Sequence, residues 1–389
     1  MGEEVTRPAI LSALLFVFFM MTGEGVLAQH PKIISGDSVV VENALYKLNK
    51  NINFTIIPGP TYNGSTKIGF AVLPMLTYNL NREDTLSPVS STSALLYFNF
   101  YGSWLTAAKQ SLYWNQNKWR AFAMIGYGKL RLKFYGVGTD TAIVSSQAYN
   151  WIHQNTFLFS MSCYRKVVAG FYAGLIYNYN NIYIYGEDSL AAVAITQSNL
   201  KTETNIESII APSFAWDSRD NLFWSSKGFY AMINIMAANS FLFSSHDYSV
   251  LTGFVNGYHA LLPQSKKLIL AWRLYLQGSW GDVPYDQLAN YGVGDGFRGY
   301  TGGKYVNRSE INIQAEIRYD VWKFVSLSGF LGTGKIFSSI ETFGQSVWLP
   351  AAGGGIYLNV IPSRNLRAWI AGAVGRHDYG VYVGIGQAF

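Results

Sequence analysis

Between Glu310 and Asp320 polar and apolar residues alternate without a break. Glu310, Asn312, Gln314, Glu316, Arg318 and Asp320 share one side, and Ile311, Ile313, Ala315, Ile317 and Tyr319 the other. A period of two over about ten residues predicts a strand, and a strand whose faces meet lipid and a wet lumen reads this way. A half-buried strand of a soluble sheet alternates too, so the weight rests on repetition along the chain. Leu268, Leu270, Trp272, Leu274 and Leu276 share a face opposite Ile269, Ala271, Arg273, Tyr275 and Gln277. Near the C-terminus Tyr379, Val381, Val383, Ile385 and Phe389 oppose Gly380, Gly384, Gly386 and Ala388.

The same reading marks strands at about 66–80, 90–103, 105–114, 118–135, 149–163, 166–182, 205–217 and 227–240. It continues at 246–260, 266–280, 309–320, 322–338, 346–361, 364–376 and 378–389. The count is odd, whereas bacterial single-chain barrels have even strand numbers, so a further strand is expected within 183–204. Sixteen strands over the roughly 335 residues from Ile56 give about 21 residues per strand and turn, a spacing that suits a membrane barrel. The predicted fold is all-β: one transmembrane antiparallel β-barrel over residues 54–389. Soluble sandwiches are much shorter.

Ahead of the barrel, Arg7 precedes thirteen uncharged, mainly apolar residues from Ala9 to Met21, and a small-residue stretch closes on Val26-Leu27-Ala28. Despite Glu3 and Glu4, this is the pattern of a secretory signal peptide over residues 1–28. The apolar run falls short of the roughly 20 residues of a membrane-spanning helix. A polar lead over residues 29–53 follows and is too brief for a folded domain.

Composition sharpens the picture. Only 13% of residues are charged, while 16% are aromatic, with 27 Tyr and 38 Gly; a soluble domain is nearer about 25% charged. Barrels spend every second strand residue on lipid and carry aromatic girdles at both interfaces. A secreted sandwich or solenoid is the soluble alternative. Without residues 1–28 the formal charge is about +8. The basic residues are scattered singly or in pairs such as Lys266-Lys267, which argues against nucleic acid and suits rims that meet outer-membrane lipids. The lone Cys163 has no disulfide partner and is expected as a packed residue near a turn.

Chemistry is thinly signalled. Gly294-Asp295-Gly296-Phe297-Arg298-Gly299 spells a dinucleotide-binding pattern, but an alternating strand follows it instead of a helix. Gly329 to Lys335 spells most of a phosphate loop, with Ile336 where a hydroxyl must hold magnesium. His153, His246, His259 and His377 fall into no metal spacing, and nothing marks a nucleophile with its base. The expectation is a protein without catalysis, cofactor or metal.

Phe297-Arg298-Gly299-Tyr300 resembles the signature of the BamA/TamA outer-membrane assembly superfamily, an aliphatic or aromatic residue before Arg-Gly and then Phe or Tyr. That superfamily includes two-partner-secretion transporters and the proteins called bacterial surface antigens. Phe214-Ala215-Trp216-Asp217-Ser218-Arg219-Asp220-Asn221, with Lys227-Gly228 after it, resembles the family's tight turn, whose residues here are Asp217, Arg219 and Asp220. Tyr135-Gly136-Val137-Gly138-Thr139-Asp140 and Ala352-Gly353-Gly354-Gly355 resemble blocks of its shorter members. Five strands follow the signature, and the terminal Phe389 looks like the sorting signal by which barrels are recognised for insertion.

The resemblance implies a 16-stranded barrel in a bacterial outer membrane whose sixth extracellular loop folds into the lumen. Arg298, Gly299 and Tyr300 would stand on that loop, with Arg298 forked onto Glu316 of the following strand. A wet lumen would hold their coupling to about 1 kcal/mol, more if the loop excludes water. Two departures leave Glu316 as the single carboxylate of this clamp: Gly332 stands where the family often has an acid, and Arg367-Ala368-Trp369 where it often has Arg-x-Asp. The lead cannot build a POTRA domain, since independent domains start near about 50 residues, so the chain resembles short, barrel-only members.

Two functions are implied. One is assembly or translocation through a lumen and a weak seam between first and last strands. Pro74, in a first strand over Ile68 to Tyr78, and Gly384 and Gly386 in the last would weaken that seam. The other is a passive pore or structural outer-membrane subunit docking a separate periplasmic or lipoprotein partner, with a homodimer also open.

Overall fold

The computed structural model describes residues 52–63, 67–138, 149–198, 204–221, 223–265, 267–293, 297–361 and 365–389. The expected signal peptide, nearly all of the polar lead, Thr139-Asp140 and Gly294-Asp295-Gly296 lie outside the described residues.

Among the described residues sixteen strands form one sheet in chain order. Its first half holds β1 (Ile52–Asn63), β2 (Lys67–Tyr78), β3 (Ser90–Asn99), β4 (Trp104–Trp114), β5 (Trp119–Phe134), β6 (Asn150–Val168), β7 (Phe171–Gly186) and β8 (Asn205–Asp217). Next come β9 (Lys227–Ala238), β10 (Tyr248–Ala260) and β11 (Leu268–Gly281). Between β11 and the next sheet strand the chain makes a long connection, residues 282–308, containing a separate two-stranded pair, β12 (Ala289–Asn290) and β13 (Val306–Asn307). The sheet ends with β14 (Ser309–Trp322), β15 (Val325–Phe337), β16 (Ala351–Ile361), β17 (Leu366–Gly375) and β18 (Asp378–Ile385). Within the sheet each strand pairs antiparallel with the next, β11 with β14 across the long connection.

Several boundaries differ from the sequence pattern. The strand missing from that pattern is β1, not a segment within 183–204; Pro58-Gly59-Pro60 interrupts its propensity. Residues 183–204 hold the end of β7 and a helix, α1 (Ser189–Gln197), in which Asp188 Oδ1 accepts the Ala191 N–H at 2.8 Å and caps the first turn. Pro74 therefore lies in β2, between two neighbours, and not in the first strand. It stands opposite Ile56, and on its other side the ladder to β3 passes from Val72–Leu96 to Met75–Ser93, skipping the position without an N–H.

Burial runs opposite to that of a soluble sheet. On β14 Glu310, Asn312, Gln314, Glu316 and Arg318 are at most 3% exposed, whereas Ile313 is 51% and Ile317 49% exposed. Phe98, Ile125, Leu175, Ile233, Ile235, Ile356 and Ile370 are exposed on other strands. Cys163 lies within β6 and is exposed beside Met161, so it is not a packed residue near a turn. Water would drive these isoleucines inward at about 25 cal/mol per Å² of apolar surface; a hydrocarbon surround exerts no such force. No helix among the described residues is long and apolar enough to cross a membrane.

Ile313→Lys should lower folding stability by about 2–4 kcal/mol in phospholipid vesicles, the cost of a lysine near the bilayer midplane. Denaturant titration of the vesicle-folded protein measures it, and an unchanged midpoint would contradict the outward placement.

Candidate functional site

The long connection lays four aromatic residues on the buried face of the sheet. Tyr291 and Phe297 rings lie 4.9 Å apart, Tyr291 and Tyr300 5.1 Å, and Tyr300 and Tyr305 5.5 Å. The sheet beneath them is cut away to fit. A Cβ on Gly332, Gly334 or Gly375 would come within 2.8 Å of Phe297, Tyr291 or Tyr300 respectively. Gly332, a departure at the level of sequence, is thus the seat of Phe297. Gly299 adopts φ +117°, where an L side chain is strained, and a Cβ there would also strike that of Ala351 at 2.7 Å. Its N–H donates to Tyr382 Oη at 2.7 Å.

This seating delivers Arg298 to Glu316. Arg298 Nη2 donates to Glu316 Oε2, and the guanidinium carbon stands 3.5 Å over the Phe330 ring. Glu316 Oε1 accepts from Arg318 Nε and from Tyr357 Oη, each at 2.8 Å. Two arginines and a phenol therefore converge on one wholly buried carboxylate. Ring faces add negative potential beside the guanidinium groups: Phe330 under Arg298, and Trp224 5.0 Å from Arg318.

Arg318 extends the network to the C-terminus. Its Nη1 donates to Gln387 Oε1 at 3.3 Å and its Nη2 to the Phe389 carbonyl at 3.4 Å. The tail arrives there because Gly386, at φ +91°, turns the chain out of the sheet after Ile385, its N–H donating to the Arg367 carbonyl at 2.6 Å. Phe389 consequently does not continue the outer apolar face of the last strand. It packs inside with Trp224, Tyr258 and Phe330. Gly384 has a packing role too, since a Cβ there would lie 2.5 Å from the Trp369 indole.

The turn residues join the same cluster through their neighbours. Arg219 forks onto Asp217, Nε to Oδ1 at 2.9 Å and Nη2 to Oδ2 at 3.1 Å. Asp220 Oδ1 accepts the Ser226 and Lys227 N–H groups at 2.9 and 3.1 Å, closing the turn between β8 and β9. The closed turn presents Trp224 to Tyr357, 4.9 Å between centroids, and the Ser225 N–H to Gln387 Oε1 at 3.1 Å. Across the cluster, Arg367 pairs with Asp320 at 2.9 Å.

The structure thus gathers Arg298, Gly299, Tyr300, Glu316 and Phe389 around Arg318, with Asp217, Arg219 and Asp220 one layer away; Pro74 stands apart on β2. Sequence reasoning did not assign roles to Arg318, Tyr357, Tyr382, Phe330 or Trp224. Arg318 alone had a signal, its place two residues from Glu316 on the polar face. The Arg298 and Glu316 side chains are 3% and 0% exposed, so their energetics are those of a buried pair and not of a wet lumen.

Glu316→Ala strands two buried guanidinium groups and should cost about 3–5 kcal/mol. Arg298→Ala leaves Glu316 with Arg318 and Tyr357 and should cost less. Chemical denaturation in detergent micelles orders the two, and a reversed order would contradict the shared-carboxylate arrangement.

A family model for the Omp85 superfamily domain matches residues 79–389. Among solved structures the chain is similar to BamA from Haemophilus ducreyi lacking POTRA domains 1–3, with 12% identity and a TM-score of 0.55 over 86% of this chain and 69% of that one. It is also similar to CdiB from Acinetobacter baumannii, with 11% identity and a TM-score of 0.53 over 86% of this chain and 59% of that one. At these identities the likeness establishes the fold. No curated protein matches the sequence.

Proposed function

The chain belongs to the Omp85 superfamily, and on that footing we propose that it is a bacterial outer-membrane β-barrel that assembles or translocates proteins. Its sheet closes with β1 beside β18, lipid outside and the charge cluster within, and the connection 282–308 is an inward-folded loop. Closure is supported by Cα atoms of β1 and β18 that approach within 8 Å. The inward course of the loop is supported by its contacts on distant strands, Tyr285 against Phe134 of β5 and Thr301 N–H on Asp378 of β18 at 2.8 Å.

The observation that carries the reading is the poor match of the two facing edges. β1 has 12 residues and includes Pro58 and Pro60, which have no N–H to donate; β18 has 8 and departs at Gly386. In hydrocarbon each unpaired backbone group costs several kcal/mol. A seam with few ladder bonds perturbs the adjoining lipid and offers free edges to an incoming strand, as exposed edges do in strand addition. The loop cluster, anchored on β14, keeps the rest of the wall rigid while the seam yields.

Cysteines that lock β1 to β18, in a Cys163→Ser background, should abolish insertion of a substrate barrel into proteoliposomes, and reduction should restore it. Undiminished insertion by the oxidised protein would overturn the seam mechanism. That result would favour a passive conduit, a reading drawn from the cavity of about 360 Å³ lined by Lys109, Asn178, Asn234 and Gln277.

A further inference from the structure

One strand carries a column of cations on its exposed side. Lys129-Leu130-Arg131-Leu132-Lys133 lies at the end of β5. The alternation turns Leu132 inward, where it is buried with Phe134 and Ile152. Lys129, Arg131 and Lys133 share the other side with Ile125 and Tyr127, which are 48% and 53% exposed. Successive positions on one side of a strand stand about 7 Å apart, so the three cations form a short ladder. The connection 282–308 lies at this end of β5: a Cβ on Gly303 would meet the Lys133 carbonyl at 2.9 Å, and the Tyr285 ring packs 5.4 Å from that of Phe134.

Neighbouring strands frame the ladder with rings and one carboxylate. Register sets Trp104 of β4 beside Lys129 and Trp151 of β6 beside Lys133. The Arg131 guanidinium carbon lies 3.9 Å over the Trp151 ring, and Lys133 Nζ 4.2 Å over that of Tyr149. Glu187, just after β7, accepts Arg131 through both oxygens, from Nε at 2.5 Å and Nη2 at 2.8 Å. Three cations thus stand against one carboxylate among the described residues of this patch.

We propose that this patch binds the phosphate groups of an anionic lipid in the leaflet on the loop side, with the acyl chains against Ile125 and the apolar wall below it. A lysine on the lipid side of a barrel is costly at the bilayer midplane and costs little at the interface. Ile125, Tyr127 and the cations therefore mark hydrocarbon, aromatic girdle and head-group level in turn. Lysine and arginine donate and do not accept, which matches the acceptor oxygens of phosphate. The fork onto Glu187 holds Arg131 flat on Trp151 before any lipid arrives, so less side-chain freedom is lost on binding. Such a site requires the exposed side of the sheet to face lipid, as proposed above, and is independent of assembly or translocation.

Native mass spectrometry of the detergent-solubilised full chain, titrated with bisphosphorylated lipid A or with phosphatidylcholine, tests the site. Lipid A should bind the more tightly, and millimolar inorganic phosphate should not displace it. Each cation beside an anionic lipid surface contributes about five-fold in affinity, so Lys129→Gln with Lys133→Gln should weaken lipid A binding by about 25-fold. That pair of changes leaves the Arg131–Glu187 fork in place. Lys118→Gln with Lys323→Gln removes two exposed cations from turns at the other end of the sheet and should leave the affinity unchanged. Equal weakening by the two pairs, displacement by inorganic phosphate, or equal affinity for lipid A and phosphatidylcholine would overturn the site while leaving the barrel reading intact. A chain that folds in water without detergent would overturn the lipid-facing placement, and the site with it.

Discussion

A carboxylate removed from water must be met by charge and hydrogen bonds, and Glu316 meets that demand with groups from three separated parts of the chain. Arg298 comes from the loop, Arg318 from its own strand and Tyr357 from β16. Each partner brings a further structure. Arg298 arrives only if the aromatic stack is seated on Gly332, Gly334 and Gly375. Arg318 reaches onward to the carbonyl of Phe389 and, through Trp224, to the β8–β9 turn. Separating any one of these segments would leave a buried arginine or the carboxylate uncompensated, which explains how a loop, a turn and a tail far apart in sequence hold a common position.

The second constraint is the solvent on the other side of the same strands. β14 places Glu316 and Arg318 inward and Ile313 and Ile317 outward, so one alternating segment serves both the charge cluster and the apolar exterior. A register slip of one residue would exchange these faces and lose both at once. The cluster therefore stabilises register as well as loop position.

Much of this was legible in the residues. Alternation located the later strands because a residue facing apolar surround and one facing a polar interior differ at every step. It failed where local chemistry overrides the period: Pro58-Gly59-Pro60 hid β1, and the Asp188 cap with the alanines after it made a helix where a strand was expected. Parity misled at the end of the chain, since the turn at Gly386 carries Phe389 from the expected outer face to the inside. The loop signature brought out Arg298 and, through the polar face of β14, Glu316. The role of Arg318 was hidden because its partners, Gln387 and the Phe389 carbonyl, reach it only through that C-terminal turn. Trp224 was hidden likewise, placed by the Asp220 and Asn221 side-chain bonds to the turn backbone.

In the reading proposed above, the charge cluster around Glu316 fastens the loop across the interior of the barrel. Planar-bilayer conductance of the purified protein, parent beside Arg298→Ala, tests it most directly. A fastened loop gives small currents that grow and fluctuate when the arginine is removed. A large, steady conductance that is the same in both proteins would contradict the account.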